Sequence, residues 1–257
     1  QHLYRDWKRG GHGWVRLEYA LVVSCDTFFY QLAQLLGIQR INDVLTQFGF
    51  GHSTQIDMGE ELPGLIPSPQ WKKNVKHTPW YTGDTLISGI GQGFMLTTPL
   101  QLANATAKLA NRGRGYKPHL LRAYEQDNVV TPNKVQEDYP ITLHESQIWE
   151  TIINAMEAVV INRHGTGFRF GRKPGYSVAA KTGTAQVYSI KQHQFETQDD
   201  LPEYLRDHSL IIAFAPKIKP KIAVAVLVEN NNIASNVARK VIDQYLLKSA
   251  KDHHESK

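Results

Sequence analysis

Hydrophobic positions along the chain recur first at helical spacing and later at strand spacing. Residues 1–15 are polar and glycine-rich and predict an irregular lead-in. Phe28, Phe29, Leu32, Leu35 and Leu36 lie at helical spacing, so a helix is expected from Thr27 to Leu36, with Asp26 as N-cap and Gly37 as stop. Ile38, Ile41, Val44, Leu45 and Phe48 predict a second helix that ends at Gly49. Residues 51–92, with prolines at 63, 67, 69 and 79, show no strong period and read as turn-rich. Pro99 opens a helix that runs to Arg112. Residues 113–142 read as irregular or weakly extended. A helix over Gln147–Ile161 has Ile148, Ile152, Met156 and Val159 as its expected buried stripe.

Beyond residue 165 the pattern changes. Val178 to Val187 alternates β-branched and small residues after a turn at Gly175, which predicts a strand. Successive side chains of a strand point to opposite faces, so Thr182 and Thr184 share one face and Lys181 roots on the other. Gly183 between them leaves the backbone open to a close neighbour. A cation, two hydroxyls and bare backbone along one edge suit an extended peptide that ends in a carboxylate. Residues 188–208 have no apolar period and exceed the usual connection length, so they read as a lid, a binding loop or an excursion. Ser209–Pro216 and Lys221–Glu229 are nearly continuous apolar runs, read as strands buried on both faces. Ile233–Lys248 is read as a helix across the sheet, with Ile233, Val237, Val241 and Tyr245 on one face and Ile242 and Leu246 beside it. The linear division is a mostly helical region to about 165, a sheet and helix over about 176–248, and a polar tail over 249–257.

Bulk properties add little to this pattern. With 257 residues, 41% hydrophobic and 21% charged, the chain has the composition of a globular protein. The net charge of +5 is scattered rather than clustered, which argues against a nucleic-acid partner. The longest apolar runs, Leu210–Ala215 and Ile222–Val228, are too short to span a bilayer. One cysteine excludes an internal disulfide. The opening residues lack Met and place charges and glycines at once, so the chain is expected to be part of something longer.

Three motifs carry chemistry. Ser24-Cys25-Asp26 has the Ser-x-Asn form with Asp in place of Asn, and Lys181-Thr182-Gly183 is a Lys-Thr-Gly element. Gly89-Ile90-Gly91-Gln92-Gly93 is followed by Thr97-Thr98-Pro99-Leu100-Gln101-Leu102-Ala103 and Ala110-Asn111. Trp80 to Thr85, Gly165-Thr166-Gly167 and Phe214-Ala215-Pro216 complete the set. From Tyr4 to about Val241 this pattern closely resembles the class B penicillin-binding transpeptidases, and within them the elongation-specific members of Gram-negative bacteria. The resemblance implies an α/β (α+β) fold of the penicillin-binding and serine β-lactamase type. It has an antiparallel sheet, a covering C-terminal helix and a mostly helical subdomain, with further N-terminal strands outside this chain.

By the same resemblance the chemistry is acyl transfer. A serine attacks the D-Ala-D-Ala carbonyl of a peptidoglycan stem peptide, and an amine of a neighbouring stem takes the acyl group. The nucleophile should sit in Ser-x-x-Lys, and no such tetrapeptide occurs in the 257 residues. It is therefore expected N-terminal to Gln1, and this chain alone should not form the acyl-enzyme. The resemblance gives Ser24 a proton relay and Lys181 a supporting charge. Thr182 and Thr184 would bind the substrate carboxylate, Gly183 would let the peptide approach, and the Thr184 N–H would be an oxyanion donor. Asp26 would hold a substrate amide, cap its helix, or both. Stem peptides, β-lactam antibiotics, a membrane glycan polymerase and elongation-complex proteins are the implied partners. The implied location is the periplasmic face of the inner membrane, with an N-terminal anchor. No cofactor is implied for catalysis.

Asp6, His12 and Cys25 form a separate candidate. Carboxylate, imidazole and thiolate are all normal Zn²⁺ ligands, and His12 lies within Gly-Gly-His-Gly, whose backbone can fold tightly around an ion. A structural zinc is expected, its fourth ligand upstream of Gln1, against the alternative of a buried thiol and two surface side chains. Two other functional readings remain open: a non-catalytic scaffold that keeps the fold, and a β-lactamase or β-lactam sensor built on it.

Overall fold

The computed structural model describes residues 3–168, 170, 175–187 and 200–248. In chain order its elements are α1 (Leu17–Val23), α2 (Asp26–Gln47), α3 (Pro69–Lys76), α4 (Thr82–Ser88), α5 (Pro99–Ala110), β1 (Ala123–Gln126), β2 (Val129–Pro132), α6 (Gln147–Ile161), β3 (Ala179–Ala185), β4 (His208–Ala215), β5 (Ile222–Val228) and α7 (Ala234–Asp243). A π-helical turn, Gln244–Lys248, continues α7. The chain forms two compact units, Gln1–Phe29 with Gln147–Lys257, and Tyr30–Ser146. These units do not follow the linear division at about 165. The first 29 residues and α6 belong to the unit that holds the sheet.

In the first unit the sheet is antiparallel in the order β3-β4-β5, so among the described residues β3 has a neighbour on one side only. Lys181 stands opposite Ile212, and Gly183 opposite Leu210. The expected burial on both faces holds for β4 at Ala213, Phe214 and Ala215, whereas β5 is mostly half-buried. One face of the sheet is closed by α7, with Val178, Ala180, Ile211 and Ala213 packed against Ala234, Ala238 and Ile242. The inward stripe of α7 is thus not the one read from the larger side chains: Ile233, Val241 and Tyr245 are exposed. Alanines at 234 and 238 let the helix lie close to the strands, and burying that whole stripe outweighs burying three isolated large groups. In α6 the buried positions are Trp149, Ile153, Ala155, Met156, Val159 and Val160, while Ile148 is exposed. This helix packs against both α1 and β3, so its buried face is wider than the expected stripe.

In α2, Gly37 breaks the helical backbone at φ +75°, ψ 157°, where the sequence placed the end of one helix and the start of another. Asp26 does not cap this helix from outside; it is the first helical residue.

The second unit contains two helices in the stretch read as turn-rich. Ser68 accepts the Trp71 N–H at the start of α3, and Asp84 accepts the Tyr81 N–H in the first turn of α4. Helices of eight and seven residues are set by such caps and are too short to show a period. The extended region resolves into a β1–β2 hairpin, turning at Asp127 and Asn128 with φ +52° and +61°, as a two-residue loop requires.

Candidate active site

Two elements from opposite ends of the first unit build the site. Ser24 is the corner between α1 and α2, with left-handed backbone angles of φ 52° and ψ 54°. Only a residue held by its surroundings keeps that conformation at a cost of roughly 1–3 kcal/mol. The corner turns the Ser24 side chain outward, while the next residue, Cys25, is buried among Ala20, Val22 and Val23. On the other side, β3 is anchored by Val178, Ala179 and Ala180, all buried, and becomes progressively exposed from Lys181 to Thr184. Sequence alternation alone placed Lys181 away from the threonines. Its long side chain instead bends along the strand, and its ammonium donates to the Thr182 carbonyl at 2.9 Å.

The same ammonium donates to Ser24 Oγ at 2.5 Å, across 157 residues of sequence. Thr166 joins them, its Oγ1 lying 3.3 Å from Ser24 Oγ and accepting the Thr182 hydroxyl at 2.7 Å. Lys181, Ser24, Thr166 and Thr182 therefore form one connected polar set on the exposed edge of the sheet. Burial lowers the Lys181 pKa from 10.5 to about 8, against the attraction of nearby Asp26, which favours the charged form. Thr166 was singled out in the sequence only as part of Gly-Thr-Gly; nothing local marks it as a neighbour of Ser24.

Asp26 has a partner within the chain that its motif does not reveal. Its Oδ2 accepts the backbone N–H of Trp7 at 2.9 Å, and the Trp7 indole donates to the Val23 carbonyl at 3.1 Å. Burial raises the Asp26 carboxyl above its ordinary range; the Trp7 N–H and Lys181 pull it back, and Asp6 adds repulsion. The carboxylate thus ties the lead-in segment to the Ser24 corner, and Trp7 is a second residue that sequence reasoning passed over.

Next to Trp7, the three candidate metal ligands come together. The ligand atoms of Asp6, His12 and Cys25 all lie within 4.8 Å of one another. His12 Nδ1 is 3.1 Å from Asp6 Oδ2, and both side chains are nearly buried, at 6% and 3% exposure. The glycines on either side of His12, Gly11 and Gly13, have φ +65° and +66°, the tight fold expected of them. Burial raises the Cys25 thiol, with the Asp6 carboxylate adding to the rise. Burial alone would also raise the Asp6 carboxyl, but hydrogen bonds from the Lys8 N–H, Cys25 and His12 hold it below the usual range. A carboxylate, an imidazole and a thiol gathered this closely suit a bound cation by their donor chemistry.

Gly183 and Thr184 are exposed on β3, where a Cβ at Gly183 would meet only Leu210 Cβ at 3.4 Å. Residues 188–199, most of the expected lid or binding loop, lie outside the described residues. Of the rest, Tyr204 is exposed and Arg206 donates to the Leu201 carbonyl at 3.1 Å.

The profile of the penicillin binding protein transpeptidase domain matches residues 1–246. The chain belongs to the penicillin-binding protein transpeptidase family. Peptidoglycan D,D-transpeptidase MrdA of Salmonella typhimurium is 41% identical over 249 residues, which cover 95% of this chain and 40% of that relative. The crystal structure of Pseudomonas aeruginosa PBP2 in complex with WCK 5153 superimposes with a TM-score of 0.78 at 41% identity, covering 95% of this chain and 51% of that one. Helicobacter pylori PBP2, in a complex with MreC, gives 0.80 at 30% identity, covering 96% and 43%. The chain thus spans about two fifths of the curated relative's length. The penicillin-binding transpeptidase fold, with its antiparallel sheet and covering helix, is the one expected from the motifs.

Proposed function

We propose that the whole protein is a peptidoglycan D,D-transpeptidase that cross-links stem peptides through a serine acyl-enzyme, and that this chain supplies the supporting half of its site. The observation that carries this reading is the Lys181–Ser24 contact beside an exposed, threonine-lined strand edge. A serine hydroxyl accepting from an ammonium is held ready to pass a proton between an attacking serine and a leaving amine. The ammonium attracts the peptide carboxylate, and the hydroxyls of Thr182 and Thr184 fix its direction. A backbone N–H at Thr184 would stabilise the oxyanion, a contact whose loss costs roughly 100- to 1,000-fold. The acylated serine comes from another segment of the protein, in the Ser-x-x-Lys form that these residues do not contain.

The same reading makes β-lactams inhibitors. It sets the site at the periplasmic face of an inner membrane, through an anchor outside this chain; among the described residues no helix is long and apolar enough to cross one. Elongation-complex proteins and a glycan polymerase are the proposed partners. The P. aeruginosa PBP2 structure with WCK 5153 supports a bound small molecule, and the H. pylori PBP2 complex with MreC supports a protein partner. Asp6, His12 and Cys25 would hold a zinc ion, which supplies a structural cross-link between the lead-in segment and the Ser24 corner and takes no part in the chemistry.

Labelling of the full-length protein with a fluorescent penicillin tests the proposal. Wild type should label covalently and release the label slowly, and Ser24→Ala should label far more slowly. Absence of label points to the scaffold reading, and fast release to a β-lactamase.

A further inference from the structure

Thr166 has no part in the three chemical motifs, yet its hydroxyl sits between two residues that do. Gly165 and Gly167 explain how it is held there. A Cβ on Gly165 would collide with the Val159 carbonyl oxygen and stand 2.8 Å from the Val159 carbonyl carbon; one on Gly167 would press on Val159 and Val160 at 3.1 Å. Two bare positions thus let this turn lie directly on the end of α6. The Thr166 N–H then donates to the Val22 carbonyl at 3.2 Å, beside the Ser24 corner, and the Gly167 N–H donates to the Val159 carbonyl at 3.2 Å. The turn is pinned to α6 and to α1, and its one side-chain hydroxyl is aimed at the gap between Ser24 and Thr182.

Each hydroxyl has one proton to donate and two lone pairs, whereas an ammonium only donates and a carboxylate only accepts. Lys181 donates to Ser24, so the Ser24 proton must turn elsewhere. In this structure Thr182 donates to Thr166. A carboxylate arriving at Thr182 takes that proton's direction for itself. Thr182 then becomes an acceptor for Thr166, and Thr166 for Ser24. Donation runs one way, from Lys181 through Ser24, Thr166 and Thr182 to the carboxylate. The second lone pair of Ser24 is left facing the groove as a proton acceptor.

We propose that Thr166 is a positioning residue that transmits carboxylate binding at Thr182 to the orientation of the Ser24 hydroxyl, favouring acyl donors that carry a carboxylate beside the scissile bond. The inference rests on the transpeptidase reading above and adds to it a residue through which that site recognises its substrate.

The test uses the full-length protein, a fluorescent penicillin with a free carboxylate, and the methyl ester of the same compound. Thr166→Val keeps the shape of the side chain and removes the hydroxyl; Thr166→Ser keeps the hydroxyl. Loss of a hydrogen bond in a chain that ends on a charge should slow labelling by the free acid roughly tenfold in Thr166→Val, with Thr166→Ser close to wild type. Wild type should label more slowly with the ester than with the acid, and Thr166→Val should lose most of that discrimination while melting at the wild-type temperature. Wild-type labelling rates in Thr166→Val, equal slowing in both variants, or an unchanged acid-to-ester ratio would each overturn the role of Thr166 and leave the transpeptidase reading standing. A wild-type protein that takes no label, or a Ser24→Ala protein that labels at the wild-type rate, would overturn that reading and this inference with it.

Discussion

Raising the pH through the titration of Lys181 removes one buried charge and leaves every neighbour in place. Burial holds its pKa at about 8 rather than 10.5. At about 1.4 kcal/mol per pH unit, that difference amounts to roughly 3–4 kcal/mol at most. Below pH 8 both the folded and unfolded chains carry the proton, and this group gives stability no slope. Between pH 8 and 10.5 the unfolded chain binds more protons than the folded one, so unfolding free energy rises with pH. Acylation should move the other way, because the lost proton is the charge that attracts the carboxylate and supports Ser24. The protonated fraction, and with it the labelling rate, should fall about tenfold per pH unit above the pKa.

Urea unfolding and penicillin labelling of the full-length protein, followed from about pH 7 to about pH 9.5, read the two trends together. Lys181→Met removes the titration, so its stability should lack the rise. Subtracting the variant from wild type also cancels Tyr176. Burial and Asp243 hold its phenol well above the ordinary 10, so its own loss of stability falls at higher pH. An identical stability profile in wild type and Lys181→Met, or a labelling rate flat to about pH 9.5, would refute the reasoning.

Gly165→Ala should lower the melting temperature by several degrees, since overpacking against backbone costs about 1–3 kcal/mol or more, whereas Gly183→Ala should melt like wild type but label slowly because its new methyl lies on the peptide-binding edge. Equal melting of the two variants would contradict the packing at Gly165. Stoichiometric zinc is expected in purified full-length protein and not in Cys25→Ser, and a chelator should lower the melting temperature of wild type alone; equal and negligible metal in both would remove the zinc proposal. Asp26→Asn should keep the Trp7 N–H bond through its amide oxygen, and by losing the negative charge should move the alkaline fall in labelling to lower pH. Asp26→Ala should instead cost about 1 kcal/mol of stability, read by thermal melting, as the Trp7 N–H loses its acceptor.

The amino-acid sequence alone determined the features that depend on near neighbours. Strand alternation around Lys181, the three apolar segments of the sheet, the helix over Gln147–Ile161 and the break at Gly37 are all written in spacings of a few residues, because backbone geometry repeats every two or 3.6 positions. The motifs around Ser24 and Lys181 were visible because each spans a few adjacent residues. Short capped helices such as α3 and α4 escaped, since one cap and two turns give no period. The alanine stripe of α7 escaped too, because its burial depends on the sheet beneath it.

Only the tertiary structure decided which groups touch. It bent Lys181 to Ser24 across 157 residues, gave Asp26 to the Trp7 N–H, and set Thr166 between two hydroxyls. Those contacts follow from how α1, α6 and β3 pack together, and chain spacing carries no trace of a distance that packing sets.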